Sequence, residues 1–443
     1  MIPESYRSMF IVLALGVVLA ASTLYDMQLS QVNESFRLLS AACIAGSLGA
    51  LALLIRYPLR ALQASLIAAW PLHLFTVFFV WGCVAYHGNS QLNQVILYTV
   101  FGYATYLLLP LALLLDKQVF VAFIKSIALL SALLALPSFF GAMGYQDLLG
   151  IPLRSKPSYS DFSGIIASAG VFEHAEGHAL QMAFGLLCSL YILRIRASFA
   201  LYGVCFALCS LGLLVSQGRA AIFGVMIALM FAVLPPLFRQ SRPFFVGTLG
   251  LAIVFPFLIL PQLAAIPGLG SYFRVERGLS GREEAWLFAL SAVQERPLTG
   301  HGFMASTQLT EDENQRLRKS GFSGAGTTFH NTFITKAVDL GWVGMGLYAL
   351  IYFVPLWRIC APSDEPEIRD FLRSMIILIL TAALFRDYNI GGIRSTAMIG
   401  TIFLGLTNLW GLVVQWGWNC ERTGAPPVVA RAMPDTSSAQ ALQ

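Results

Sequence analysis

Apolar positions in this chain do not alternate. They run on in blocks of about twenty residues, and a helix of that length crosses roughly 30 Å of hydrocarbon. Twelve blocks are legible: Ser8–Tyr25, Phe36–Ile55, Leu62–Tyr86, Val95–Leu115, Phe120–Phe140, Gly177–Leu193, Phe199–Val215, Ala220–Phe238, Phe244–Leu260, Asn331–Trp357, Ser374–Phe385 and Thr396–Trp416. The eleventh is short as drawn and is expected to start earlier. A transmembrane β-barrel would show segments of about ten residues with in/out alternation, and none is visible. The pattern predicts an all-α polytopic integral membrane protein with about twelve transmembrane helices and one large outer loop. Arg7 followed by Met9–Ala21 imitates a signal peptide. Glu4 stands in its charged region, however, and further blocks follow, so an uncleaved first helix is expected.

Composition sharpens this reading. Hydrophobic residues make up 57% of the chain and charged residues 12%, about half the roughly 25% of soluble domains. A cytosolic enzyme, a secreted disulfide scaffold and a disordered chain are thereby excluded. The net charge of +5 is mild, and its placement is more informative. With a cytoplasmic N-terminus, the inward connections hold Arg56, Arg60, Lys117, Arg194, Arg196, Arg239, Arg242, Arg358, Arg369 and Arg373. The first two outward connections, Asp26–Ser35 and His87–Gln94, hold no Lys or Arg. An even number of crossings returns the C-terminus to the cytoplasm. The expected organisation is helices one to nine over 1–260, a large loop over 261–330, helices ten to twelve over 331–418, and a disordered tail over 419–443.

A structureless loop that long is uncommon and usually functional. Two helices are expected in it: Gly281–Glu295, and Thr310–Lys319 with Glu311 and Glu313 at its N-terminal end. For the second, a solvated helix outweighs a binding site. The cysteines, odd in number at seven and mostly inside apolar runs, read as small core residues.

Ionisable groups near membrane depth are functional candidates by default. Arg219 sits between two apolar blocks in Ser216-Gln217-Gly218-Arg219. Arg386-Asp387 and Arg394 flank Gly391-Gly392, Arg282 follows Ser280-Gly281, and His330-Asn331 stands where the large loop re-enters the membrane. All fall on the outer side. Guanidinium forks bind phosphate bidentately and keep their charge, so a pair of them can hold a pyrophosphate without a metal. His330, with an ordinary pKa near 6.5, can take a proton from a hydroxyl, and Asn331 is suited to orienting it or a sugar. Each has a plainer reading. Arg219 snorkels or pairs with Asp387, Arg282 pairs with Glu283 or Glu284, and His330 caps a helix. Lys336 and Asp339, one turn apart, are expected to neutralise each other. His174 and His178 share a predicted helix face, but Ala175 stands where a zincin glutamate belongs. Helix entry or contact with a polar substrate is therefore preferred to a metal site. Arg154, Lys156 and His301 are further outer-side candidates for substrate contact.

Three pieces of text together resemble the O-antigen ligase and polymerase superfamily of bacterial envelope glycosyltransferases, the ligases above all. They are Ser216-Gln217-Gly218-Arg219-Ala220-Ala221, Ser280-Gly281-Arg282 with Trp286 and Arg296-Pro297-Leu298-Thr299-Gly300-His301-Gly302, and Phe329-His330-Asn331-Thr332-Phe333 with Asp339-Leu340-Gly341-Trp342-Val343-Gly344. Gly170-Val171-Phe172 fits the same pattern, while Glu173-His174 departs from its asparagine-rich form. The resemblance implies a metal-independent, inverting, GT-C-like enzyme of the Gram-negative inner membrane with its site facing the periplasm. It implies an undecaprenyl-pyrophosphate-linked O-antigen donor and a lipid A–core acceptor, with membrane lipids as surroundings and neither cofactor nor nucleic acid. Arg219 and Arg282 would hold the pyrophosphate and His330 would be the base. A polymerase or a protein O-oligosaccharyltransferase uses the same chemistry. A glycolipid flippase would use the same arginines only to bind and release, although no inverted repeat is visible.

Overall fold

The computed structural model describes residues 4–27, 33–54, 59–87, 92–156, 167–233, 247, 282–319, 329–360, 365–388, 390 and 392–417. Eleven of the expected blocks are helical there: α1 (Glu4–Asp26), α2 (Glu34–Leu54), α3 (Leu59–Ala68) with α4 (Trp70–His87), α5 (Leu92–Tyr103) with α6 (Leu109–Leu115), α7 (Lys117–Ala142), α8 (Ala175–Arg194), α9 (Phe199–Ser216), α10 (Arg219–Val233), α13 (Thr332–Ile359), α14 (Pro366–Phe385) and α15 (Ser395–Gly417). The block at 244–260, residue 247 apart, lies outside the described residues, as does the tail. Two further helices, α11 (Arg282–Glu295) and α12 (Ala305–Lys319), belong to the large loop. Among the described residues six helices are long and apolar enough to cross a membrane, or seven if the bent pair α3–α4 is one span.

The helices alternate in direction. At one end Ser8 Oγ donates to Asp116 (3.0 Å) and Lys117 pairs with Glu365 (3.0 Å). At the other, the loop end, Asp26 accepts the N–H (2.9 Å) and hydroxyl (2.8 Å) of Ser395. The connection between α7 and α8 holds two small antiparallel strand pairs: β1 (Asp147–Leu148) with β2 (Ile151–Pro152), and β3 (Arg154–Lys156) with β4 (Ala167–Gly170). Among the described residues four cysteines are buried, Cys43 and Cys360 are half-buried, and these six are free.

The interruptions have identifiable causes. The third block bends by 59° at Ala69, where Pro71 removes an N–H from the ladder. The Ala68 carbonyl at that bend is claimed by Arg358 (3.0 Å) and Asn408 Nδ2 (3.0 Å), as an apolar surrounding demands. A π-helical segment, Ala104–Leu108, separates α5 from α6 just ahead of Pro110. The eleventh block does start earlier, at Pro366. Its first turns bury Arg369, Asp370 and Arg373, with the two arginines 3.4 and 3.6 Å from Asp370.

The tenth block departs most from a single span. Gly341 (φ 69°, ψ −176°) breaks α13 into 332–340 and 342–359. The second part is about 27 Å long at 1.5 Å per residue, close to the thickness of the apolar layer. Half-exposed Trp342 and Trp357 flank it, as interfacial tryptophans do. Lys336 and Asp339 pair at 3.4 Å in the part before the break.

The break leaves backbone groups without helical partners, and the turn 297–302 supplies them. His301 N–H donates to Val338 O (2.9 Å), Gly302 N–H to Asp339 O (2.8 Å), and Trp342 N–H to Pro297 O (2.7 Å). Glycine is required on both sides of this contact. A Cβ on Gly300 would lie 2.4 Å from Leu340 N, and one on Gly341 2.4 Å from the Leu298 carbonyl carbon. α12 begins at Ala305, upstream of the expected Thr310, so Glu311 and Glu313 fall mid-helix and do not serve its N-terminus. That task goes to Asp339, whose Oδ1 accepts the Ser306 N–H (2.9 Å).

Gly300→Ala or Gly341→Ala is expected to destabilise the protein in detergent by at least about 1–3 kcal/mol, from left-handed strain and backbone collision. Gly346→Ala, with nothing within 4 Å of the added methyl, should leave the thermal midpoint unchanged or raise it.

Candidate functional site

His330 sits between two anchored residues. Phe329 is buried, and its carbonyl accepts the Trp286 indole N–H of α11 (2.8 Å). Asn331 caps α13, accepting the Ile334 N–H (3.0 Å) and donating to Leu384 O of α14 (2.9 Å). Its amide therefore serves the backbone, fixing His330 in place rather than presenting itself to a sugar. His330 itself is half-exposed and left-handed (φ 50°), a conformation that costs a β-carbon residue of order 1–3 kcal/mol and persists only where neighbours impose it. Thr332, not singled out from the sequence, donates to Arg386 O (2.8 Å) and accepts the Tyr388 N–H (2.7 Å). This strap joins the start of α13 to the end of α14 and sets Arg386-Asp387 beside His330-Asn331.

From there the site extends to α8. The Arg386 guanidinium covers Gly177, its nitrogens 3.5 and 3.7 Å from where a Cβ would stand. Its Nη1 and the Oδ1 of Asp387 are buried without hydrogen-bond partners among the described residues. Burial holds the Asp387 carboxyl above the usual range against the pull of Lys336; Asp339 adds to the rise and Arg386 opposes it. Two residues on, and so on the opposite side of α8, Ala179 meets Gly218, where a Cβ would collide at 2.3 Å. Gly218 precedes Arg219, the first residue of α10, and Gln217 is left-handed there (φ 51°) to turn the chain from α9 into α10. His330, Arg386 and Arg219 thus share the loop end, where α8, α10, α13 and α15 all begin. The positive ends of four helix dipoles add to the guanidinium charges.

A second cluster borders the first. Arg154 of β3 donates to Glu173 O, and Arg394 pairs with Glu173 (3.2 Å) and Asp26 (3.7 Å). His174 lies 3.3 Å from Glu173. Burial lowers the His174 pKa, Glu173 opposes, and Arg394, Arg386 and Arg154 push it further down. Glu173 and Asp26 carry the counter-charges here, and sequence reasoning gave neither a role. Asp26 was detectable as a carboxylate closing an apolar block.

Other candidates are placed differently. His174 is the extended N-cap of α8, so it does not share a helix face with His178 as expected. His178 is fully buried against Phe172 (ring centroids 5.4 Å apart), with neither ring nitrogen bonded among the described residues. Among the described residues no three His, Cys, Asp or Glu are grouped to hold a metal. His301 Nε2 lies 2.7 Å from Ala292 O, bracing the 297–302 turn against α11. Arg282 opens α11 and Lys156 closes β3; their side chains lie outside the described residues.

Residues 204–349 match the family described as O-antigen ligase. That stretch is similar to the O-antigen ligase family. The matched stretch contains Arg219, Arg282, His330 and the Gly341 break. The exopolysaccharide production protein ExoQ of Rhizobium meliloti (strain 1021) is 31% identical over 119 residues. That match spans 26% of this chain and 26% of the relative.

His174 is expected to titrate below its ordinary value of about 6.5. Its contribution to stability is therefore present above that value and lost as pH falls below it through the lower folded-state pKa. Glu173→Gln removes the one group favouring protonation and should lower the His174 pKa further, read by NMR of 13C-labelled histidine.

Proposed function

We propose that this protein is an inverting, metal-independent glycosyltransferase acting at the periplasmic face of a Gram-negative inner membrane. Its termini are cytoplasmic, and it moves a polysaccharide from undecaprenyl pyrophosphate to a sugar hydroxyl of lipid A–core. The observation that supports this reading is the strap from Thr332 to Arg386, which joins the start of α13, next to His330, to the end of α14 where Arg386 stands.

In this reaction His330 takes the proton as the acceptor oxygen bonds to the anomeric carbon. The bond from that carbon to phosphate oxygen breaks, and undecaprenyl pyrophosphate leaves as an anion. Arg219 and Arg282 hold that anion and stabilise the charge that grows on it, with Arg386 beside them. Asp387, Arg154, Lys156 and His174 border the sugar path. General-base help contributes about 10²–10⁴ in rate, and one well-placed charge stabiliser about 10²–10³. A pyrophosphate needs no protonation to leave.

A second reading keeps the chemistry and changes the acceptor to another lipid-linked repeat, making the enzyme a polymerase. It draws support from the relative's name, which refers to exopolysaccharide production. A deletion strain separates the two. Loss of a ligase leaves lipid A–core bare and polymer on its carrier, whereas loss of a polymerase leaves a single capped unit.

With purified protein, lipid-linked donor and lipid A–core, read by gel mobility, His330→Ala and Arg282→Ala should lower transfer by at least about tenfold with the fold intact. Arg219→Lys should also be poor, since a point charge replaces a fork, and EDTA should have no effect. Full activity in both alanine variants would refute the assignment.

A further inference from the structure

α11 turns its small side chains inward. Ala285, Ala289, Ala292 and Val293 are buried together with Ala337 and Val338 of α13. Met345, one turn past the Gly341 break, packs against the same cluster. The loop helix therefore packs against the part of α13 before the break, with Met345 of the part after it touching the same cluster, which puts α11 at the level of Trp342. Leu298 is held at that level too, its backbone pressed against Gly341, and its side chain is 66% exposed. On the outward face of α11, Leu287 and Leu290 are 71% and 45% exposed. No charged residue occurs from Ala285 to Gln294. By contrast α12 exposes Glu311 and Asp312.

We propose that α11 and the turn after it are seated in the membrane itself, at the boundary of headgroups and acyl chains. Leu287, Leu290 and Leu298 continue the lipid-facing strip begun by Trp342 and Val343. The partner is the lipid surface, because the strip is continuous with a segment that already faces lipid, and because an uncharged outward face with charges only at the helix ends suits about 5–10 Å of immersion. Through the Trp286 bond to Phe329, the height of His330 above the bilayer is then set by the lipid and not by the protein alone.

The test uses the full chain in vesicles of phosphatidylethanolamine and phosphatidylglycerol, with photoreactive benzoylphenylalanine in place of Leu287, Leu290, Val343 or Glu311 in turn. Covalent lipid adducts are expected from 287 and 290 in yield comparable with 343, and none from 311. Adducts to a second copy of the chain, or none from 287 and 290 while 343 gives one, would overturn the proposal. No substrate enters the measurement, so its failure is distinct from failure of the reaction proposed above.

Discussion

An exchange of three backbone hydrogen bonds holds the loop to the membrane bundle. A helix broken at the edge of an apolar layer leaves N–H and C=O groups that water cannot fully serve, and each left unmade costs several kcal/mol. Here the turn 297–302 takes the place of the missing helical partners of Val338, Asp339 and Trp342. Both sides are satisfied only when they are together, so the loop is docked at a fixed height and rotation. The position of α11, the start of α12 and the setting of Phe329-His330 all follow from that joint.

On the other side of His330, polar side chains do the same work. Asn331 and Thr332 each reach across to the last turn of α14, so the two helices bearing the imidazole and Arg386 cannot drift apart without losing buried hydrogen bonds. Among the described residues Asp26, Glu173, Glu176 and Asp387 stand with the arginines at this end. The positive ends of four helix starts meet there too, which favours an anionic group.

Much of the fold was legible in the sequence because the membrane imposes one length scale on it. Blocks of apolar text had to be helices, and the early start of α14 followed from the shortness of its block. The break at Gly341 was hidden because glycine in an apolar run reads as tolerated packing; only the partner turn shows why it is there. The start of α12 was misplaced because its cap comes from a residue far along the chain, which no local acidic pattern reveals. At the site, Arg219, Arg386 and His330 stood out as charges that a membrane should exclude. Thr332 and Glu173 did not, since a threonine strap and a surface glutamate look like ordinary text until their partners are seen.

Asp339 divides its two oxygens between unlike duties. Oδ1 closes the first turn of α12, and Oδ2 faces the ammonium of Lys336. An asparagine there would retain one duty and forfeit the other, either leaving a buried cation uncompensated or uncapping the loop helix. Chain drift at this position is thereby narrowed to a single side chain, and the electrostatics of the bundle cannot be retuned without also reshaping what covers it.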